Sequence, residues 1–185
     1  MHNKNKMEET KEISRERISS GFLKLYKVTY ERGEHKFDRE IVHRGDAVAG
    51  LLFNTKTKKF IFTKQFRPGA GCEMIEIVAG TMDVVGESPE DCLCREIEEE
   101  TGYIMSTCGL ISKSYASPGG STEKMYIFIA ETDGEKVSEG GGVGDEGIEV
   151  IEYTQEEMSK NIDELSKDLK TLLAINYYFA EDILI

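Results

Sequence analysis

The sequence predicts an α/β fold: an α/β/α sandwich on a mixed sheet, with a small antiparallel β region ahead of it. Three observations predict it. Strand-like and helix-like segments are mixed without the strict alternation of an all-parallel sheet. Ala47-Val48-Ala49-Gly50-Leu51-Leu52-Phe53 is a near-continuous apolar run, as a central strand covered on both faces requires. One strongly signalled helix, opened by Ser88-Pro89 and closed by Gly102, stands among the strands. A length of 185 residues gives one domain room for a proper core. Hydrophobic content of 39% and charged content of 31% fit a soluble globular chain.

Taken in order, residues 1–17 are polar and are expected to form a flexible leader. Residues 18–44 are expected to form the β region. Gly21 to Tyr30 alternates with strand period, Glu31 to Glu34 is a turn, and Phe37 to His43 is a second strand. The main domain spans 45–185. After the apolar run comes a polar turn at Lys56-Thr57-Lys58-Lys59 and a returning strand from Phe60 to Phe66. Glu76 to Gly80 reads as a short strand. Leu110 to Tyr115, Met125 to Glu131 and Ile148 to Tyr153 read as three more. Two loops separate them, Ser117 to Glu123 and Gly140 to Gly147. Thr154 with Glu157 makes a capping box for a short helix. A last helix is expected from about Lys167 to Ala180, with Leu169, Leu172, Leu173, Asn176 and Phe179 on one side. No internal repeat or linker-like segment divides the chain.

Charge and targeting signals narrow the function. The formal charge is 23 − 35 = −12, which argues against nucleic acid as a partner. It leaves small anionic substrates open, because bound cations reverse a local field. The polar start has no signal-peptide core, and no run approaches the ~20 apolar residues of a membrane span. Cys72, Cys92, Cys94 and Cys108 lack metal spacing and read as reduced, mostly buried thiols of a cytoplasmic protein.

The stretch Gly80 to Tyr103 organises the rest. Ser88 is the N-cap, Pro89 the first helical residue, and Glu90 and Asp91 fill the first turn. Then Glu96, Glu98, Glu99 and Glu100 crowd the last turns. That is the unfavourable end for acids, since the helix dipole is already negative there. Glu96, Glu99 and Glu100 share a face and repel. A divalent cation would remove the repulsion. The bland alternative is a solvated acidic face.

This stretch resembles the Nudix box, GX5EX7REUXEEXGU. Glu87, Arg95, Glu96, Ile97, Glu99, Glu100, Gly102 and Tyr103 occupy its fixed positions. Gly80 lies one residue too far from Glu87, so the loop before the helix is one residue longer. The resemblance extends further. Glu76-Ile77-Val78-Ala79-Gly80 looks like the strand before the box in ADP-ribose pyrophosphatases. Gln65-Phe66-Arg67, Ser117-Pro118-Gly119-Gly120 with Glu123, Gly140-Gly141-Gly142 followed by Glu146-Gly147-Ile148, and Lys170-Thr171-Leu172-Leu173 look closer to the GDP-mannose pyrophosphatase branch.

The resemblance implies Mg²⁺-dependent hydrolysis of a nucleoside diphosphate sugar, with Mn²⁺ as a substitute ion. GDP-mannose is the favoured substrate and ADP-ribose the second. It implies Glu96, Glu100, Glu99, the carbonyl of Ala79 and Glu146 as metal ligands, with Arg95 holding the helix carboxylates. Arg67, Glu123 and Gly119 are the implied substrate contacts. Related ADP-ribose hydrolases carry a loop pair of acids. Here the second maps to Glu146 and the first to Gly144, with Asp145 as the nearest substitute for a general base. The family's habit of pairing through N-terminal strands implies a homodimer. Two other classes stay open: a Nudix-like module that senses a nucleotide without cleaving it, and an acidic Ca²⁺-binding protein. The second lacks EF-hand spacing.

Overall fold

A computed structural model of the chain describes residues 8–144 and 147–180. The chain forms two compact units. Unit one holds the N-terminal segment up to Gly45 together with Tyr115–Lys124, and unit two holds Asp46–Ser114 and the chain from Met125 on.

Unit one is a three-stranded antiparallel sheet in the order β1 (Thr10–Arg17), β2 (Lys24–Arg32), β3 (His35–His43). The β2–β3 turn closes at Gly33, whose φ of 58° suits a residue without a side chain. Tyr30 stacks on Phe37 across it at 5.7 Å between ring centroids. The leader expected over 1–17 is corrected from Thr10 on, where the chain is strand β1 paired along β2. All eight β1 residues are exposed and only Ile13 is aliphatic. Backbone pairing holds the strand, so no apolar alternation betrays it. The Ser117-Pro118-Gly119-Gly120 loop belongs to the same unit. Val42 N donates to Gly120 O at 2.8 Å, and Thr122 N donates to Val42 O at 3.1 Å.

Unit two is built on a seven-stranded mixed sheet. Its path is β10 (Glu149–Thr154), β5 (Lys59–Arg67), β4 (Ala47–Asn54), β9 (Lys124–Thr132), β8 (Thr107–Tyr115). Two short strands extend it: β6 (Cys72–Glu76) pairs with β5, and β7 (Val78–Thr81) pairs with β4. The single strand expected over 76–80 is therefore two strands, broken at Ile77. β4 runs parallel to β9, with Ala47 opposite Met125, and antiparallel to β5 and β7. All eight residues of β4 are buried.

The period of two in β4 explains its double burial. Ala49, Leu51 and Phe53 join one core with Phe60, Phe62, Ile127, Met158, Leu165 and Ile175. Val48 and Leu52 join another with Ile61, Phe128, Cys92, Leu93 and Ile97 of the first helix, α1 (Pro89–Thr101). Gly50 lets α1 approach, since a Cβ there would stand 2.8 Å from a methyl of Leu93. Helices α2 (Gln155–Lys160), α3 (Ile162–Leu165) and α4 (Leu169–Ala180) close the far face. The capping box of α2 forms as expected between Thr154 and Glu157. The expected apolar side of α4 is corrected. Leu169, Leu173 and Phe179 are exposed, and α4 buries Thr171, Ala174 and Ile175 instead. A hydrogen bond from Ile77 N to Thr171 Oγ1 at 2.9 Å turns the helix that way. No helix among the described residues is long and apolar enough to cross a membrane.

Candidate active site

Helix α1 begins as its sequence demands. Ser88 Oγ accepts from Asp91 N at 3.1 Å, and Pro89 occupies the first turn. It ends at Gly102, left-handed at φ 74°, whose N–H caps Glu98 O at 2.9 Å. The next two carbonyls of the acidic turn are capped from outside the helix. Gly141 N donates to Glu100 O at 2.8 Å and Gly142 N to Glu99 O at 3.0 Å. Gly140, Gly141 and Gly142 all have positive φ, and a Cβ on Gly140 would press on the Glu100 carbonyl oxygen at 2.5 Å. The glycine run thus supplies N–H groups that offset the negative helix end where the acids sit.

Arg95 gathers the box carboxylates. Its Nε donates to Glu87 Oε1 at 3.0 Å and Nη2 to Glu87 Oε2 at 3.2 Å, a bidentate fork. Its Nη1 donates to Glu96 Oε1 at 2.7 Å and to Glu99 Oε2 at 3.1 Å. The Arg95 fork holds the Glu87 carboxyl below the usual range, and Glu87 in turn raises the Arg95 guanidinium further. Beside them, burial pushes the Cys92 thiol up to about 12. The extra residue before the helix is absorbed in the exposed turn Val84-Val85-Gly86, where Gly86 takes φ 86°, and Glu87 still reaches Arg95.

Glu96 lies against the backbone next to Ala79. A Cβ on Gly80 would coincide with the Glu96 carboxylate, so only glycine leaves room for the acid there. Glu100 is 5% exposed. Among the described residues no group of three acidic, imidazole or thiol side chains is already set to hold a metal ion. What fits a hard divalent ion is the donor type, carboxylate and carbonyl oxygen. Mg²⁺ is bound through one or two carboxylates and retains waters and substrate phosphates, and it takes oxygen donors of the kind Glu96, Glu99, Glu100 and the Ala79 carbonyl offer. Glu146 and Asp145, expected as further ligand and base, lie outside the described residues.

A second charge cluster was not read from the sequence. Glu76, at the end of β6, is 3% exposed. Its Oε2 accepts from Arg67 Nε and its Oε1 from Lys170 Nζ at 2.5 Å. Lys170, 10% exposed, also sits 3.0 Å from Asp168 Oδ2. Asp168 caps α4 by accepting from Thr171 N at 3.0 Å and from Thr171 Oγ1 at 2.6 Å. The cluster thus runs from β5 through β6 to α4, and Thr171 ties it to the link into β7. In the sequence Lys170-Thr171 carries a signal only through the family resemblance.

The other expected substrate contacts, Glu123 and Gly119, belong to unit one. Glu123 pairs with Arg44 at 3.2 Å. In the glycine loop, Gly120 N turns back to Ser117 O at 3.2 Å. Gly119 lines a pocket of about 520 Å³ with the cations Arg15, Arg39 and Lys124 and the rings of Tyr30 and Tyr115.

A capped helix with arginine-gathered acids, set on a mixed sheet between two cores, defines a Nudix hydrolase. The chain belongs to the NUDIX domain family, whose model matches residues 43–174. It is 38% identical over 177 residues to the GDP-mannose pyrophosphatase of Escherichia coli (strain K12), covering 86% of this chain and 90% of the relative. It is 35% identical over 175 residues to the GDP-mannose pyrophosphatase of Cronobacter sakazakii, with the same coverage. A crystal structure of an ADP compounds hydrolase shares the fold at a TM-score of 0.80 and 16% identity, covering 97% of this chain and 98% of that one. Nudix hydrolases use divalent metal ions.

Proposed function

We propose that the protein hydrolyses the pyrophosphate bond of a nucleoside diphosphate sugar in the presence of Mg²⁺. GDP-mannose is the favoured substrate, giving GMP and mannose 1-phosphate. ADP-ribose, giving AMP and ribose 5-phosphate, is the second reading, favoured by the fold shared with an ADP compounds hydrolase. The observation that carries the proposal is the gathering of Glu87, Glu96 and Glu99 on Arg95, with Glu96 packed against Gly80, the residue after Ala79.

Glu96, Glu99, Glu100, the Ala79 carbonyl and Glu146 would hold the ion, with Mn²⁺ able to replace it. When bound, the ion shields diphosphate charge and lowers the pKa of a coordinated water. In the reaction, water oxygen bonds to one phosphorus while that phosphorus loses the bridging oxygen, which leaves with the other phosphate. Arg95 keeps Glu96 and Glu99 oriented against their mutual repulsion. Arg67 offers its fork to phosphate oxygens. Glu123 and Gly119 orient the sugar or nucleotide. Glu146 acts as a ligand from its loop, and a base drawn from Asp145, Glu146 or the helix acids accepts the proton. The protein works as a homodimer in the cytoplasm, paired through the 18–44 region, and residues 45–185 carry the hydrolase.

A hydrolysis screen over nucleotide sugars with Mg²⁺ tests the proposal. GDP-mannose is expected to be cleaved fastest, with activity abolished by excess chelator. Full activity in chelator ends this reading. Within it, Glu146→Gln is expected to lower kcat and raise the Mg²⁺ requirement more than Asp145→Asn does. A general base contributes about 10²–10⁴-fold in rate. A larger loss in Asp145→Asn with metal affinity unchanged reverses the two roles.

A further inference from the structure

We propose that Glu76 is a positioning residue for substrate binding, holding Arg67 by its Nε so that the two terminal nitrogens face the substrate diphosphate. The inference rests on the nucleotide-sugar reading above. Arg67 Nε is engaged by Glu76, and the guanidinium makes no other hydrogen bond among the described residues. Its side chain is 35% exposed, whereas Glu76 is almost wholly buried. Nε is therefore held by a buried carboxylate, while Nη1 and Nη2 have no hydrogen-bond partner among the described residues.

The chemistry of the cluster favours positioning over stability. Burying a carboxylate is costly, and a buried ion pair often stabilises no more than an apolar replacement. Here one carboxylate accepts from two cations, Arg67 on Oε2 and Lys170 on Oε1. Asp168 balances the extra positive charge, so the four groups sum to zero. What the arrangement supplies is a long, rotamer-rich side chain ordered before substrate arrives. Ordering such a side chain in advance removes a cost that binding otherwise bears. Lysine at position 67 cannot do the same. Its single ammonium would be consumed by Glu76, with no fork left over.

The test measures KM, kcat and Tm for wild type, Glu76→Gln, Arg67→Gln, Arg67→Lys and the double variant Glu76→Gln/Arg67→Gln. Calorimetric titration with inorganic pyrophosphate gives the same comparison without turnover. Glu76→Gln is expected to raise KM and weaken pyrophosphate binding about 10-fold, with kcat within about 2-fold, as loss of uniform binding predicts. In the Arg67→Gln background it is expected to add nothing, because its target is gone. Arg67→Lys is expected to bind as poorly as Arg67→Gln. A Glu76→Gln effect of equal size with and without Arg67, or unchanged binding in Glu76→Gln, overturns the proposal. If Glu76→Gln does not fold, the comparison of Arg67→Lys with Arg67→Gln decides: equal weakening supports the inference, and wild-type binding by Arg67→Lys overturns it. Wild type that cleaves no nucleotide sugar defeats the functional reading, while the pyrophosphate titrations still judge Glu76.

Discussion

Unit two contains two charge clusters built on opposite plans. In one, a single cation, Arg95, faces Glu87, Glu96 and Glu99, with Asp83 at 3.7 Å. In the other, a single buried carboxylate, Glu76, faces Arg67 and Lys170, and Asp168 completes a neutral set. The neutral cluster is electrostatically finished, so its use is to hold something still. The acidic one sets several carboxylates against one guanidinium. A divalent cation would offset that excess of negative charge. A buried charge network by itself therefore does not mark a reactive centre; an unbalanced one does.

The largest expected effect breaks the acidic cluster chemically. Glu99→Gln and Glu100→Gln should each lower kcat by about 10² or more, the scale of losing one electrostatic contact to the reacting group. Their Tm should hold or rise, since each removes a repulsive charge from the negative helix end. Steady-state kinetics beside thermal melts checks both. Wild-type kcat in either variant erases the distinction between the two clusters.

A middle-sized effect sharpens the distinction. Arg95→Met removes the guanidinium that pairs with Glu87, Glu96 and Glu99. In chelator its Tm should fall by about 4–8 °C, which is roughly 2 kcal/mol for a chain of this size. Millimolar Mg²⁺ should raise the variant's Tm more than it raises that of wild type, by linkage to a more acidic site. Equal metal-induced shifts in both proteins count against a cation-seeking cluster.

The smallest effect is a pH dependence. Arg95 lowers the folded-state pKa of Glu87. The stability from that pair is complete above the ordinary glutamate value of about 4.3 and is lost as pH falls through the lower folded value. The Tm gap between wild type and Glu87→Gln should be full at pH 7 and shrink below about pH 4. A gap that stays constant to pH 3 removes the Glu87–Arg95 ion pair as its cause.

Legibility followed the distance over which each feature is encoded. Helix α1 was readable residue by residue, because Ser88, Pro89, Gly102 and the acids act within a few turns of one another. The β4 run was readable because both of its faces are apolar. Strand β1 was hidden because polar side chains on both faces leave only backbone pairing. The face of α4 was misread because a threonine, Thr171, faces inward in place of a leucine. The Glu76 cluster was out of reach for the same kind of reason. Arg67 meets Glu76 across a hairpin, and Lys170 meets it from 94 residues away. Nothing local in the sequence announces either pairing.

That separation of 94 residues also sets an order of events when the chain is made. Synthesis at about 5–20 residues per second delivers Lys170 roughly 5–20 s after Glu76. Through that interval β5 and β6 can pair as a hairpin, but Glu76 has only Arg67 to neutralise it. A carboxylate in that state favours water over the interior. The hairpin's inner corner therefore stays wet until α4 docks and brings the second cation. On the proposal made above, the ordering of Arg67 is completed only once α4 is in place, so that side chain waits on a contact far along the chain.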